Sequence, residues 1–310
     1  MSDGGVTLEG RQDHAGGSYY GNSIINAPTW AEADIAGYLF AGGLAGGSSI
    51  LAAGASLTER PALARRAKLC ASGAISVSLL ALVHDLGRPA RFLHMLRVFK
   101  PSSPMSVGVW ILFFYAPLAA GSAASDMLGL APRTGRAAGV GAGLLGAAVA
   151  SYTAALIADT AVPAWHEAHR ELPFLFVGSA AAASGGFGLV AAPLSENEPA
   201  RRMAALGAIA ELAASEVMDR RLGPVAEALQ TGTAGRRLRI AKALTAAGAV
   251  TAATLAHRSR AAAVSAGVAL LAGSALTRFG IFAGGMESAR DPKYTVDLQR
   301  ARLGDRAAAP

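Results

Sequence analysis

The stretch that decides the fold is Ile35–Thr58, IAGYLFAGGLAGGSSILAAGASLT, which contains no charged residue. A helix needs about 20 predominantly apolar residues to cross the hydrocarbon core of a bilayer, because each residue advances about 1.5 Å along the axis. Ile35–Thr58 satisfies both requirements and therefore predicts a membrane-spanning helix.

The composition of the whole chain supports this prediction. Of its 310 residues, 52% are hydrophobic and 16% are charged, and the mean hydropathy is +0.37. Soluble domains carry about 25% charged residues. The net charge of +7 lies mainly between apolar runs, as is typical of residues that flank membrane spans. We therefore expect the chain to interact with a lipid bilayer and not with nucleic acid.

Further apolar runs follow, too long for barrel strands and without their alternation. They are Leu69–Val83, Pro101–Ser125, Ala137–Ala158, Leu172–Ser195, Arg202–Asp219, Ile240–His257 and Ala261–Phe282. We predict an all-α fold, a polytopic transmembrane helix bundle of about eight spans. The predicted organisation is a polar N-terminal segment over residues 1–32, a membrane domain over 33–286 and a polar tail over 287–310.

The distribution of Lys and Arg between the loops favours a cytoplasmic location for both termini in the cell membrane. The polar, glycine-rich N-terminus lacks the apolar core of a cleaved signal peptide. Cys70 is the single cysteine. Because an iron–sulfur cluster usually needs four thiolates, we expect no such cluster to be ligated by this chain alone.

Charged and polar groups inside a span are functional candidates because burying them in lipid is costly. Asp34 and Tyr38 lie four positions apart on one helical face, and Gly42 and Gly46 continue the same row. Small residues let helix backbones approach closely, so this row predicts a face turned toward the bundle interior.

Tyr152 lies inside the fourth run, and Asp159 follows at its end. The first and fourth spans run in opposite directions. Tyr38 and Tyr152 are therefore predicted to agree in depth within about 6 Å. In the sixth run, Glu211 and Glu216 are candidates for a proton path. We expect Arg278 to form a structural ion pair with Glu216 or Asp219.

The histidines give weaker signals. His166, Glu167 and His169 have a spacing compatible with a metal, but no further ligand is evident, so no metal site is predicted. His84 and His257 lie only at the ends of spans, which gives little support for a haem.

The loop His84–Met105 mixes basic and apolar residues and predicts an interfacial segment. Its cations Arg88, Arg91, Arg97 and Lys100 are candidates for docking a partner.

Several stretches resemble the NrfD/polysulfide-reductase family of membrane subunits. The most specific is DLGRPARFLHMLRVFKPSSPMSVGVWIL (Asp85–Leu112), and TWAEADIAGYLFAGGLAGGS (Thr29–Ser48) resembles the family's first span. SYTAALIAD (Ser151–Asp159) is similar to its fourth-span tyrosine region. SARDPKYTVDLQRAR (Ser288–Arg302) resembles the ending of an actinobacterial branch.

This resemblance implies a membrane subunit that exchanges electrons between quinone and a 4Fe-4S ferredoxin-like subunit, next to a molybdopterin catalytic subunit. The quinone, menaquinone or ubiquinone, is bound without a covalent link. Tyr152 matches the tyrosine that hydrogen-bonds a quinone carbonyl, and Tyr38 falls where a better-known member has a histidine. Asp34 or Asp159 would accept protons. The resemblance implies neither haem nor cluster in this chain.

Two other classes stay open from the sequence. The acidic sixth span suggests a proton or solute transporter without a redox role. A haem-b membrane anchor is the other alternative. The resemblance indicates neither the terminal substrate of the complex nor the direction of electron flow.

Overall fold

The computed structural model describes residues 24–88, 94–296 and 299, and over these residues the chain is helical without any strand. Pro lies in the first turn of many of the helices, where its missing N–H has no intrahelical partner to lose. The α-helices are α1 Glu32–Leu57, α2 Pro61–Asp85, α3 Pro104–Leu128, α4 Pro132–Ala158, α5 Pro163–Glu167, α6 Leu172–Ala191, α7 Glu198–Arg221, α8 Glu227–Gln230, α9 Gly232–Thr254 and α10 Arg260–Arg290.

Six of these helices are long and apolar enough to cross a membrane: α1, α2, α3, α4, α6 and α10. Helices α7 and α9 have a similar length but are richer in charged residues. They correspond to the sixth and seventh predicted spans. The all-α polytopic bundle is confirmed, and α7 and α9 have the highest share of charged residues among its long helices.

Helix α1 is the central element of the bundle. In the most apolar stretch of 18 residues in α1, 78% of the residues are buried, against 22% in the corresponding stretch of the neighbouring α2. It packs against α2, α4, α6 and α10. Gly46 lies so close to Gly146 of α4 that a Cβ on either residue would collide with the backbone of the other. The glycine row of the first span therefore faces the interior, as predicted.

Arginines close the end of α6 that lies away from the tyrosines. Arg66 donates a hydrogen bond to the carbonyl oxygen of Ala191 at 2.6 Å, and Arg260 donates to those of Leu189 and Ala192 at 2.9 and 2.8 Å. The last carbonyls of a helix have no intrahelical partner, and cations there also oppose the helix dipole favourably. These contacts fix α6 against α2 and α10.

Helix α10 continues beyond the predicted eighth run, so residues 287–290 form its last turn. Lys293 then donates a hydrogen bond from Nζ to Glu227 Oε1 at 3.0 Å, which raises the pKa of Lys293 above its usual value. Tyr294 is 5% exposed. The beginning of the C-terminal tail is thus held against α8.

Candidate functional site

Two tyrosines meet inside the bundle, near the face where α1 begins and α4 ends. Tyr38 is fully buried and Tyr152 is 7% exposed. Their hydroxyl groups are close enough to interact. Among the described residues, however, the hydroxyl of Tyr38 has no partner with hydrogen-bond geometry. A buried hydroxyl without a partner costs about 1–3 kcal/mol, which makes this atom the clearest sign of a ligand site.

Small residues of three helices make room for the tyrosine pair. The ring of Tyr152 lies directly on the backbone of Gly108 in α3, where any side chain would collide with it. Ser78 of α2 donates a hydrogen bond to the carbonyl oxygen of Tyr38 at 3.1 Å. Gly42 lets that serine approach α1. The sequence predicted the common depth of the tyrosines but gave no indication of Gly108.

Asp34 lies one turn before Tyr38 and has a partner that sequence reasoning missed. Its Oδ2 lies 2.8 Å from Nδ1 of His84, in the last turn of α2. The aspartate side chain is 21% exposed and the histidine side chain 80%. The pair therefore links a carboxylate beside the tyrosines to solvent. The first two spans are antiparallel, so the start of α1 lies beside the end of α2. This arrangement was the signal that could have identified the Asp34–His84 pair.

Asp159 is the residue that caps the end of α4, and it is exposed. It lies on the same face of the bundle as Asp34, as predicted. The structure shows no hydrogen bond between its side chain and either tyrosine. Asp159 thus stays a prediction for proton acceptance and has no direct contact to support it.

The loop between α2 and α3 lies on this same face. Arg88, Arg97 and Lys100 are exposed, and Arg91 lies outside the described residues. Phe99 packs edge-on against Trp110 with the ring centroids 6.3 Å apart. Ser106 accepts a hydrogen bond from the backbone N–H of Lys100 at 3.0 Å. The described part of the loop is tied to α3, and Arg88, Arg97 and Lys100 are accessible to a partner.

Two larger cavities lie elsewhere in the bundle. One, of about 590 Å³, is at the same face and is lined by Trp30, Arg237 and Arg290 among others. The other is an apolar groove of about 660 Å³ between α1, α6 and α7. Neither cavity has Tyr38 or Tyr152 in its lining.

A second buried polar centre lies between α6, α7, α9 and α10. Glu211 is 3% exposed, and its Oε1 lies 2.7 Å from Thr277 Oγ1. Arg278 is fully buried, donates to the carbonyl oxygen of Phe176 at 2.8 Å and stacks on that ring at 3.8 Å. Its Nε and Nη1 atoms have no partner among the described residues.

The predicted partners of Arg278 were wrong. Glu216 is exposed and pairs with Arg220 at 2.8 Å, and Asp219 pairs with Lys242 at 2.6 Å. The predicted eighth run ended at Phe282, but α10 continues to Arg290. Arg278 therefore lies well inside the helix rather than near its end, beyond reach of the surface carboxylates.

The histidines of the segment between α4 and α6 lie together, with ring centroids 6.0 Å apart. His169 Nδ1 donates to the carbonyl oxygen of His166 at 2.8 Å. Within the described part of the chain, no group of three or more His, Cys, Asp or Glu residues is arranged to hold a metal ion.

Comparison with known families gives one match. The model of the family described as polysulphide reductase, NrfD, matches residues 26–247. The matched part runs from the segment before α1 into α9, so it includes both tyrosines and Glu211 and excludes α10. No curated protein matches the chain.

Proposed function

We propose that this chain, which belongs to the polysulphide reductase NrfD family, exchanges electrons between the quinone pool and an iron–sulfur subunit. Membership makes it a membrane subunit of polysulfide-reductase-like complexes. The quinone, the 4Fe-4S ferredoxin-like partner and a molybdopterin catalytic subunit are the proposed part. The proposed location is the cell membrane with both termini in the cytoplasm, and the actinobacterial branch rests on the tail sequence alone.

The observation that carries this proposal is the unpartnered hydroxyl of Tyr38 beside Tyr152. A carbonyl oxygen of a quinone, or a hydroxyl group of a quinol, would supply the hydrogen-bond partner that the Tyr38 hydroxyl lacks. A phenolic hydroxyl can donate to a carbonyl or accept from a hydroxyl, so it fits both oxidation states. Tyr152, on the neighbouring helix, would form a second hydrogen bond to the quinone, and the two bonds together would fix the orientation of the quinone ring.

Oxidation of a quinol releases two electrons and two protons. Asp34 is the nearest carboxylate along α1 and would accept a proton at Oδ2 by general-base chemistry. His84 Nδ1 touches that oxygen and is largely exposed, so the imidazole would carry the proton on to solvent. His84 would thereby supply, from α2, a base one helical turn from Tyr38, which occupies the position of a histidine in a better-known member of the family.

The electrons need an acceptor outside this chain, because its one cysteine cannot ligate a cluster. The exposed Arg88, Arg97 and Lys100, together with Arg91, would form the docking surface for an acidic iron–sulfur subunit. Complementary charge of this kind increases the association rate and fixes orientation.

The proposal is tested by quinol oxidation and quinone-analogue binding in the purified complex. We expect Asp34→Asn to lower turnover by about a hundredfold, the scale of a positioned general base. We expect Tyr152→Phe to weaken analogue binding by up to about tenfold, since a neutral hydrogen bond contributes about 0.5–1.5 kcal/mol.

Tyr115→Phe is the matched control, because Tyr115 is equally buried on α3 but is bonded to Ser49 at 2.8 Å. It should leave both measurements unchanged. Wild-type binding and turnover in Tyr152→Phe and Asp34→Asn would refute the site assignment.

Partner docking is tested by copurification of an iron–sulfur protein with the tagged chain, quantified as bound iron and sulfide. Charge reversal in Arg97→Glu with Lys100→Glu should reduce the yield of the partner. The control is Arg133→Glu with Arg136→Glu, which reverses two exposed cations on the opposite face. Equal loss in both double variants would contradict a specific docking surface.

A further inference from the structure

The hydrogen bonds around Glu211 indicate which protonation state this carboxyl has. Thr277 Oγ1 lies 2.7 Å from Glu211 Oε1 and 3.1 Å from the carbonyl oxygen of Gly273. A hydroxyl has one proton to donate. If Glu211 were ionised, its carboxylate and the carbonyl of Gly273 would both be acceptors, and they would compete for the single hydroxyl proton of Thr277. If Glu211 carries the proton, it donates to Thr277, and Thr277 donates to Gly273.

The position of Arg278 agrees with a neutral carboxyl. The guanidinium faces the carbonyl and ring of Phe176 and lies against Gly43 of α1, and it forms no ion pair with Glu211. An ionised carboxylate buried this deeply would need a paired and hydrogen-bonded cation. The other polar neighbours of Glu211 are Thr245, whose Oγ1 lies 3.4 Å from Oε2, and Ser179, whose hydroxyl is also bonded to Ser274 at 2.9 Å.

A small cavity connects this carboxyl to a residue at the surface. It measures about 10 Å³, and its polar lining comes from Glu211, Ser215, Lys242 and Thr277. A cavity of about 10–15 Å³ is the least that holds one water, which also needs two to four polar partners. Four of the residues that line this cavity have polar side chains. Lys242 lines the cavity, its side chain is 38% exposed, and its Nζ donates to Asp219 Oδ2 at 2.6 Å.

We propose that Glu211 exchanges protons with the face of the bundle at which α7 ends, through one water and the Lys242–Asp219 ion pair. Uptake forms an O–H bond on a Glu211 carboxylate oxygen and breaks one on the bridging water. The water regains a proton from the Lys242 ammonium, and the resulting amine takes a proton from solvent beside Asp219. Release follows the reverse order, and no electron moves.

Glu216 has no part in this route, although it lies closer to Glu211 in sequence. Five residues along a helix rotate a side chain by about 140°, away from the inner face. Asp219, eight positions after Glu211, is rotated by only about 80° from it and pairs with Lys242. Glu216 is 56% exposed at its side chain and is paired with Arg220. It therefore provides a matched control on the same helix.

The route is tested by infrared spectroscopy of the purified full-length chain in lipid nanodiscs during exchange from H₂O to D₂O. The carbonyl stretch of the protonated Glu211 is identified as the band that Glu211→Gln removes. In Lys242→Met we expect its exchange to slow by roughly a hundredfold, the contribution of a positioned proton-transfer group. In Glu216→Gln the rate should equal that of the wild type.

Ser215→Val narrows the cavity while leaving every charge in place, and it should slow the exchange as Lys242→Met does. This second variant keeps the test decisive if Lys242→Met fails to fold. If Glu211→Gln removes no band, the carboxyl is ionised and the proposal is wrong. Wild-type exchange in Lys242→Met or in Ser215→Val overturns the route. None of these outcomes depends on quinone, so the test is independent of the proposed electron transfer.

Discussion

The two buried polar centres of this bundle are held in different ways. Tyr38 and Tyr152 are neutral and lie between glycine-lined helices, and among the described residues the hydroxyl of Tyr38 has no hydrogen-bond partner. Glu211 and Arg278 belong to groups that ionise in water, and hydroxyls, a carbonyl and an aromatic ring surround them. A neutral hydroxyl tolerates an incomplete environment because its desolvation costs far less than that of a charge.

This difference indicates where each half of the molecule is sensitive. In the half around α1 and α4 the contacts are between backbones, so the stability there depends on the absence of side chains. In the half around α7 and α10, the stability depends on hydrogen bonds and charge interactions that offset the burial of polar groups. Substitutions in each half separate these two causes.

The largest effect should come from a side chain at the contact of α1 with α4. In Gly46→Leu the new Cβ would collide with the carbonyl of Gly146, and neither backbone can yield without separating the helices. Overpacking usually costs about 1–3 kcal/mol where side chains can move, and here they cannot. We expect loss of the monodisperse peak in size-exclusion chromatography.

Gly54→Leu is the control on the same helix, because a Cβ on Gly54 meets nothing within 4 Å. It should preserve the peak and the helical circular dichroism. If both variants lose the monodisperse peak equally, a larger side chain is not tolerated at either position of α1. The loss in Gly46→Leu could then not be assigned to the contact with Gly146.

A smaller effect should come from removing the buried cation. Arg278→Met leaves the carbonyl of Phe176 without its side-chain donor and removes a buried positive charge that interacts with Glu211. We expect a loss of about 3 kcal/mol in thermal unfolding in detergent, the scale seen when one member of a buried charged network is removed.

The double variant Arg278→Met with Glu211→Gln separates two explanations for that loss. If Glu211 is neutral, as the hydrogen bonds indicate, the double variant should be no more stable than Arg278→Met alone. If the double variant recovers most of the lost stability, Arg278 compensates an ionised carboxylate, and the two centres are less different than proposed.

Much of the architecture could be predicted from the sequence, because length and hydropathy determine a span locally. The glycine row of α1 and the common depth of Tyr38 and Tyr152 follow from helical geometry alone. Contacts between distant helices could not be predicted this way. His84 meets Asp34 across 50 positions, and Arg278 meets Phe176 across 102. These pairings depend on the rotation of each helix about its axis, which hydropathy does not encode.

The smallest effects should come from single hydroxyl groups, and they compare the two tyrosine environments directly. Tyr115→Phe leaves Ser49 without its 2.8 Å partner and should cost about 1 kcal/mol. Tyr38→Phe removes a hydroxyl that has no partner with hydrogen-bond geometry, so its unfolding midpoint should equal or exceed that of the wild type. A neutral or positive change at Tyr38, with turnover lost, is the behaviour of a group retained for function at a cost in stability.

If Tyr38→Phe is instead destabilised as much as Tyr115→Phe, the hydroxyl of Tyr38 is bonded to Tyr152 in the native protein. The pair would then be a structural contact closed to quinone.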